Sequence, residues 1–235
     1  MKNVAIVDGG VGGLCALAKL YWKLGGNYLY IADSANFPLF ERDVPALRKI
    51  AESHVKRAVE WGADAVVFTD AALSCYAARS LCGKFDEVEI FGAEPPLKQA
   101  EDYSVSGAVA LANCKTMRFC QGRGLRALDV SPLAEMVESG AKRQDELAFL
   151  EKALAKEGNF DCVVLADAHF GMASDVVAQL YPAVKVFDST QGLVGKLCRQ
   201  KKRKSAEQGA VDYIVTANEA ENRKKFEKIL QKFFK

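Results

Sequence analysis

Several features that would point to a particular class of protein are absent from this 235-residue sequence. Positive and negative side chains nearly balance, with 32 Lys and Arg against 30 Asp and Glu, so no basic field indicates a nucleic-acid partner. The seven cysteines form no CxxC pair and have no zinc-site spacing with the two histidines. No signal peptide is recognisable, and the apolar runs are far shorter than the ~20 residues that span a bilayer. We therefore expect a soluble, cytoplasmic protein with reduced thiols and with neither nucleic-acid nor membrane partners.

What the sequence does contain is an alternation of short Val- and Ile-rich runs with longer segments of helical periodicity. This alternation is typical of βα units and a mostly parallel sheet, so the expected fold class is α/β. The predicted strands are Val4–Val7, Tyr28–Ile31, Ala65–Phe68, Glu89–Gly92, Gly107–Leu111, Arg126–Asp129, Cys162–Ala166, Val184–Phe187 and Tyr213–Thr216.

Two similar runs lie on either side of the rigid sequence Glu94-Pro95-Pro96, at which we place a domain boundary. Ala65 to Ala72 and Val163 to His169 each combine a buried strand with a polar turn that opens a helix. Ligands of open α/β sheets bind at the carboxyl ends of strands, so the two turns are predicted to face each other across one cleft.

The first strand runs into a glycine-rich turn, Asp8-Gly9-Gly10-Val11-Gly12-Gly13, which lets backbone amides approach a ligand closely. Its spacing is not that of a dinucleotide site, because the residue five after Gly10 is Cys15, and no Gly-Lys-Ser/Thr follows for a P-loop. Asp8, just before the glycines, is either a chemical group of a site or an N-cap.

The run Val7 to Leu14, VDGGVGGL, resembles the amino-terminal signature of the glutamate racemases, FDSGVGGL. Ile31 to Ala35 with Pro38 resembles the next block of that family, GDTAxxPYG. Further matching blocks follow in the family's order along nearly the whole chain: Glu94-Pro95, Ser131 to Glu138 for CPLFVPLVE, Leu165 to His169 for LGCTH, Asp188-Ser189, and the last strand and helix from Tyr213.

The resemblance implies two pseudo-symmetric α/β lobes, with mostly parallel sheets and one active site in the cleft between them. The second lobe, residues 95–188, would be inserted in the first, residues 1–94 plus 189–235. The resemblance also implies cofactor-independent racemisation, in which two cysteines on opposite faces of the substrate α-carbon each take or give a proton. Each group must act as both acid and base near neutral pH, and a thiol with an unperturbed pKa of ~8.5 can do so.

Both of these cysteines are replaced in this sequence: Thr69 stands where the first is expected and Asp167 where the second is expected. An aliphatic hydroxyl is hardly ionised near pH 7 without a strong neighbouring base. A carboxylate is a weak base, with a reference pKa of ~3.9, unless burial raises that value. Cys75 falls in the helix after Thr69 and Cys162 in the strand before Asp167, so neither is an obvious substitute.

The positions that hold the substrate in the family are changed as well. Residue-by-residue matching places Gly9 at a serine, Leu39 and Phe40 at a Tyr-Gly pair, Asp70 and Ala71 at Asn-Thr, and Ala168 at a threonine. Most polar contacts to an amino acid are therefore missing, and the apolar replacements make the pocket tighter. Asp70 joins Asp8 and Asp167 in the cleft, and three carboxylates would repel an anionic substrate unless some are protonated.

Three family positions for acid-base helpers are retained, namely Asp8, Glu138 and His169. Histidine titrates near neutral pH, so His169 at a strand end suits such a role. The three residues are either functional or inherited structure. His54 lies within a helical stretch with nothing catalytic near it in sequence, and we interpret it as structural.

These observations leave three hypotheses. The leading one is a glutamate-racemase-like protein with impaired or no two-base racemisation, which still binds a small amino acid or dicarboxylate. The second is an active amino-acid racemase using Asp167 and His169 opposite Asp8 or Asp70. The third is a regulatory protein whose cleft is closed by Leu39 and Phe40, with the basic run Arg199–Lys204 or a homodimer surface as its contact. For that basic run a solvated helix end is the other interpretation.

Overall fold

The computed structural model describes residues 2–122, 125–200 and 207–231. Within them, strands and helices alternate along the chain. The strands are β1 (Asn3–Asp8), β2 (Gly26–Ala32), β3 (Ala65–Phe68), β4 (Glu89–Gly92), β5 (Ala108–Ala112), β6 (Arg126–Asp129), β7 (Cys162–Leu165), β8 (Lys185–Asp188) and β9 (Gln208–Val215). The helices are α1 (Leu14–Leu24), α2 (Val44–Trp61), α3 (Ala71–Leu73), α4 (Arg79–Leu81), α5 (Leu97–Tyr103), α6 (Met117–Gln121), α7 (Ser131–Ser139), α8 (Arg143–Leu154), α9 (Ala168–Met172), α10 (Ser174–Leu180), α11 (Ser189–Gln200) and α12 (Glu219–Leu230). A 3₁₀ turn (Leu39–Glu41) precedes α2, and a π-helical turn (Ser74–Ala78) joins α3 to α4.

The strands form two sheets, and every strand pair in them is parallel. The first sheet has the order β4-β3-β1-β2-β9 and the second has the order β6-β5-β7-β8. The α/β class with parallel sheets, predicted from the alternation of strands and helices, is confirmed. Parallel strands covered by helices on both faces are apolar throughout, and β3 and β7 are accordingly buried at all four positions.

The two faces of the four-stranded sheet are packed in two apolar cores. Val109 and Leu111 of β5 belong to the larger core, which also contains the residues of β1 and β3. The alternate residues Ala110 and Ala112 belong to a smaller core under α5. This division follows the two-residue period of a strand, in which successive side chains point to opposite faces.

The register of the inner strands determines which polar residues meet at the carboxyl edges of the sheets. Val7 of β1 pairs with Phe68 of β3, so the following residues, Asp8 and Thr69, lie side by side. In the other sheet Leu111 pairs with Leu165, which brings Asn113 beside Asp167. The candidate site therefore lies at the carboxyl edges of both sheets, where open α/β proteins bind ligands.

Helix α2 shows how local sequence sets these elements. Asp43 is the N-cap, and its carboxylate accepts a hydrogen bond from the Ala46 amide at 2.7 Å. Pro45 stands in the first turn, where no amide donor is needed, and Gly62 ends the helix with a φ of 88°. The helix therefore begins and ends at residues whose types predict these boundaries.

The last strand is longer than predicted. The sequence indicated Tyr213–Thr216, whereas β9 begins at Gln208 and ends at Val215. It lies at the edge of its sheet beside β2, and its first residues alternate between exposed and half-buried. An edge strand needs little apolar surface, so its polar half carries no apolar signal in the sequence.

Two expectations concern partners. No helix in the described part of the chain has the length and apolar character needed to cross a membrane. Of the basic run Arg199–Lys204, the last four residues lie outside the described residues, and α11 ends at Gln200.

Candidate functional site

The glycine turn between β1 and α1 positions Asp8, which is fully buried. One carboxylate oxygen of Asp8 accepts a hydrogen bond from the Gly10 amide at 3.0 Å. The other accepts one from the Thr69 hydroxyl at 2.7 Å. The N-cap of α1 is Gly13, so Asp8 stabilises the turn rather than capping the helix. Burial raises the pKa of Asp8, and the charge of His169 offsets part of that effect.

Thr69 and Asp70 follow β3 and are both buried. The Thr69 hydroxyl oxygen lies 3.2 Å from the Val7 carbonyl oxygen in addition to its contact with Asp8. Asp70 is the N-cap of α3, and its carboxylate accepts the Leu73 amide at 2.9 Å. Burial raises the pKa of Asp70 well above its usual value, and the negative charges of Asp167 and Asp8 raise it further.

Asp167 follows β7, and its carboxylate contacts both the backbone amide and the imidazole of His169. Its Oδ1 accepts the His169 amide at 2.9 Å and lies 3.3 Å from the imidazole Nδ1. Its Oδ2 accepts the side-chain amide of Asn113 at 3.1 Å. Burial favours neutral imidazole, but hydrogen bonds with Asp167 and Glu138 raise the pKa of His169 well above its usual value. His169 therefore lies between two carboxylates that favour its protonated form.

Glu138 on α7 is the residue at which the parts of the site meet. Its Oε2 accepts the Val11 amide at 2.7 Å and lies 3.1 Å from His169 Nε2. Its Oε1 accepts a hydrogen bond from Lys225 Nζ at 2.7 Å. Burial would raise the pKa of Glu138, but the contacts with His169, Lys225 and Val11 lower it. These contacts therefore favour the ionised form of Glu138, and both of its carboxylate oxygens have hydrogen-bonding partners.

Apolar side chains fill the space beside these polar groups. Leu39 and Phe40 are buried, with exposed fractions of 1% and 5%. The ring of Phe37 lies 5.3 Å from the imidazole of His169. A Cβ added at Gly9 would lie 3.3 Å from Leu39 Cδ1 and from Phe37 Cδ2, so even a serine there would be crowded. Leu39, Phe40 and Phe37 thus pack closely around Gly9 and His169. Whether they close a cleft, as the third hypothesis expects of Leu39 and Phe40, stays a prediction.

The predicted site residues come together in two groups that are close enough for their charges to interact. Asp8 bonds Thr69, and Asp167, His169 and Glu138 form the second group. Asp70 is close enough to both groups for their charges to act on its pKa. The remaining predicted residues, Gly9, Leu39, Phe40, Ala71 and Ala168, are all buried beside them. The roles assigned to these residues from sequence stay predictions.

Comparison with known proteins points to one group of enzymes, although no family model matches the chain. The glutamate racemase of Campylobacter curvus is 29% identical over 240 residues, which cover 91% of this chain and 90% of the relative. The solved glutamate racemase of Campylobacter jejuni superposes with a TM-score of 0.86 at 18% identity, covering 97% of this chain and 98% of that one. The Escherichia coli glutamate racemase, solved with L-glutamate and the activator UDP-MurNAc-Ala, gives 0.78 at 22% identity, with coverages of 98% and 94%.

The chain is glutamate-racemase-like in sequence and in fold. The expectation drawn from dispersed motif blocks is thereby confirmed at the level of the family likeness. The likeness extends over nearly the whole chain, so both sheets are included.

The cysteines of this racemase-like protein offer no ready replacement for the two predicted losses. All seven are free thiols. Burial raises the pKa of Cys15 to about 12 and raises the pKa of Cys75 and Cys162 as well. A thiol is a useful base only as its thiolate, so none of these three is ready for proton transfer near neutral pH. No cluster of His, Cys, Asp and Glu within the described ranges could hold a metal ion.

Sequence reasoning missed three residues of the candidate site, namely Lys225, Phe37 and Asn113, whose side-chain amide donates to Asp167. Lys225 follows Glu138 by 87 positions, and its contact comes from the carboxyl-terminal helix α12. Phe37 lies within a matched motif block but was not singled out. His54, interpreted as structural, is buried, and its Nε2 lies 2.9 Å from Asp33 Oδ2. Its pairing partner is 21 residues away, and no local pattern marks it.

Proposed function

We propose that this glutamate-racemase-like chain has impaired or no two-base racemisation of glutamate. The observation that carries the proposal is the state of the two residues at the expected cysteine positions. The Thr69 hydroxyl donates its hydrogen bond to Asp8. The two carboxylate oxygens of Asp167 accept hydrogen bonds from His169 and Asn113. Neither group is free to exchange a proton with a substrate α-carbon, and a hydroxyl is a poor base in any case.

The charges around these residues support the same proposal. His169 is held between Asp167 and Glu138, and Glu138 is also paired with Lys225. Both basic side chains of the site are thus already paired with the chain's own carboxylates. A dicarboxylate such as glutamate would have to displace these partners and also face Asp70.

Ligand binding is the second part of the proposal. The Escherichia coli relative was solved with L-glutamate, which makes a small amino acid or dicarboxylate the first ligand class to test. In this chain Phe37, Leu39 and Phe40 would have to move before such a ligand could enter. We therefore expect weak binding of glutamate, without turnover.

Proton exchange measured by NMR tests the proposal directly. Purified protein is incubated in heavy water with L-glutamate, D-glutamate or aspartate, and loss of the α-proton signal is followed. The glutamate racemase of Campylobacter curvus, assayed under the same conditions, is the positive control. We expect no exchange above the protein-free rate, and exchange with inversion by the purified chain would overturn the proposal.

A second candidate is an active amino-acid racemase with a different acid-base pair. It is favoured by the raised pKa values of Asp8 and Asp70, which are close enough to Asp167 and His169 for their charges to interact. A carboxyl group with a raised pKa is a better acid-base catalyst near neutral pH than an ordinary one. If exchange is found, Asp167→Asn should abolish it, while Asp43→Asn, on an exposed helix N-cap, should leave it intact. Exchange that survives Asp167→Asn would exclude this mechanism.

Location, assembly and domain division complete the proposal. Seven free thiols fit a reducing, cytoplasmic environment. A homodimer is the assembly we propose, with sedimentation velocity as its test.

We propose residues 1–94 plus 189–235 and residues 95–188 as the two lobes, each containing one of the two sheets. If neither exchange nor ligand binding is detected, the regulatory hypothesis becomes the one to pursue.

A further inference from the structure

Glu138 joins three separate elements through one carboxylate. Val11 belongs to the glycine turn that follows β1, and its amide reaches Glu138 Oε2 at 2.7 Å. His169 belongs to α9 after β7, and its Nε2 lies 3.1 Å from the same oxygen. Lys225 belongs to α12 after β9, and its Nζ lies 2.7 Å from Oε1 and 2.8 Å from the Glu138 carbonyl oxygen. Two of these elements follow strands of one sheet, and the third follows a strand of the other.

The carboxylate of Glu138 is seated directly on the glycine turn. A Cβ at Gly10 would collide with Glu138 Oε2, so only glycine allows this close approach. Asp8 and Thr69 lie beneath the same turn and are completely buried. Glu138 therefore packs against the part of the turn that would have to move away before Asp8 and Thr69 could be exposed.

Lys225 is the most exposed member of this cluster and the one most easily released. Its side chain is 27% exposed, against 15% for Glu138 and 2% for His169. Its helix is fixed by the next residue, Phe226, whose ring packs 5.6 Å from that of Tyr30. Lys225 is thus held over Glu138 by a packed neighbour, yet its side chain is still partly exposed to solvent.

We propose that Lys225 is a releasable clasp. Its contact with Glu138 keeps the glycine turn packed over Asp8 and Thr69, and breaking this contact opens access to those two residues. A charge-assisted hydrogen bond to a half-buried carboxylate contributes more than an exposed surface pair. The clasp concerns the same cleft as the proposed function, but it does not depend on whether that cleft is catalytic.

Amide hydrogen exchange of Val11, measured by NMR without substrate, tests the clasp. Lys225→Met should speed exchange of the Val11 amide by about tenfold or more, because local opening becomes easier. Lys225→Arg should restore slow exchange, since arginine also pairs with a carboxylate. Lys224→Met, which removes the exposed neighbouring lysine of the same helix, is the matched control and should change nothing. The amides of Ala5 in β1 and Val164 in β7 report global unfolding in every variant.

Two outcomes would overturn the clasp. One is an unchanged Val11 exchange rate in Lys225→Met. The other is an equal acceleration at Val11, Ala5 and Val164, which would mean that Lys225 serves overall stability and not the turn. Since no substrate is present, either failure leaves the proposal about racemisation untouched.

Discussion

Asp70 is a carboxyl group in an environment that disfavours its charge. It is buried, and Asp167 and Asp8 add negative charge around it, so its pKa lies well above the usual value near 3.8. In the unfolded chain the same group ionises near that usual value. Between the two pKa values the folded state binds more protons than the unfolded state, so stability falls as pH rises through this interval.

Asp70→Asn is therefore predicted to stabilise the protein at pH 8 relative to wild type. Asparagine is as good an N-cap as aspartate, so the Leu73 amide keeps an acceptor while the charge is removed. The gain should be about 1 kcal/mol or more at pH 8, because one unit of pKa shift corresponds to 1.36 kcal/mol. At pH 4 the gain should be small, and urea denaturation at the two pH values measures the difference.

Asp43→Asn provides the comparison for this prediction. Asp43 is also an N-cap, but it is exposed and faces solvent at the start of α2. Its substitution should change stability by a similar small amount at both pH values. A gain for Asp70→Asn that is the same at pH 4 and pH 8 would contradict the assignment of a raised pKa.

Residues of the site could be found from sequence only where a strand end or a motif marks them. Asp8, Thr69 and Asp167 follow buried apolar strands, so their meeting at a sheet edge was predictable. Lys225 follows a polar stretch on an amphipathic helix and looks like any solvated lysine. Its partner is determined by how α12 packs on the rest of the molecule, which no local pattern reports.

The glycine turn acts as one packed element rather than as a flexible loop. A Cβ at Gly13 would lie 2.5 Å from the Thr69 hydroxyl oxygen, and one at Gly12 would lie 2.7 Å from His169 Nδ1. These distances are shorter than any carbon contact that a protein tolerates. The turn therefore requires glycine because side chains of both sheets press against it.

Gly12→Ala is predicted to destabilise the protein by about 2 kcal/mol or more, as overpacking of a rigid site does. The added methyl group would meet the backbone nitrogen of His169 at 2.8 Å, which cannot move without shifting α9. Gly192→Ala in α11 is the matched control, because a methyl group there meets nothing within 4 Å. That control should stabilise the helix by roughly 0.5–1 kcal/mol.

Thermal and urea unfolding of both glycine variants would decide the matter. A Gly12→Ala protein as stable as wild type would show that the turn can relax away from His169. The turn would then be a flexible loop and not a packed element.

At the level of elements, the sequence predicted all nine strands in their places, because buried parallel strands are short apolar runs between helices. It could not predict the start of β9, whose first residues are polar and lie at a sheet edge. The π-helical turn from Ser74 to Ala78 was also not predicted. A π turn differs from an α turn by one residue of spacing, which apolar periodicity does not resolve.

In the molecule as a whole, several contacts join elements that belong to different sheets. Lys19 on α1 pairs with Asp188 at the end of β8 at 3.2 Å. Tyr76, after β3, donates its hydroxyl to the Lys115 carbonyl after β5 at 2.8 Å. Together with the Glu138 contacts, these bonds hold the two sheets against each other. A ligand that separates the sheets on entering would have to break several of them.

We predict that placing thiols at both expected cysteine positions does not by itself confer racemisation. In Thr69→Cys/Asp167→Cys, both expected cysteine positions are filled, yet Gly9, Ala71 and Ala168 still provide no side-chain hydrogen bond to a substrate. Each hydrogen bond that a bound amino acid fails to form costs about 1–3 kcal/mol. Asp70 would remain beside the ligand, and Leu39 would still fill the space. Exchange of the glutamate α-proton should therefore stay below about a hundredth of the rate of the Campylobacter curvus relative, a deficit of about 3 kcal/mol in barrier.

The same heavy-water NMR assay measures this rate, with circular dichroism to show that the double variant is folded. The matched comparison adds Asp70→Asn and Ala71→Thr, which restore the expected Asn-Thr pair beside the first thiol. If substrate contacts are the missing part, the quadruple variant should exchange faster than the double variant. A double variant that exchanges at a rate close to that of the relative would show that the two thiols alone were lost, and that the closed cleft opens readily for glutamate.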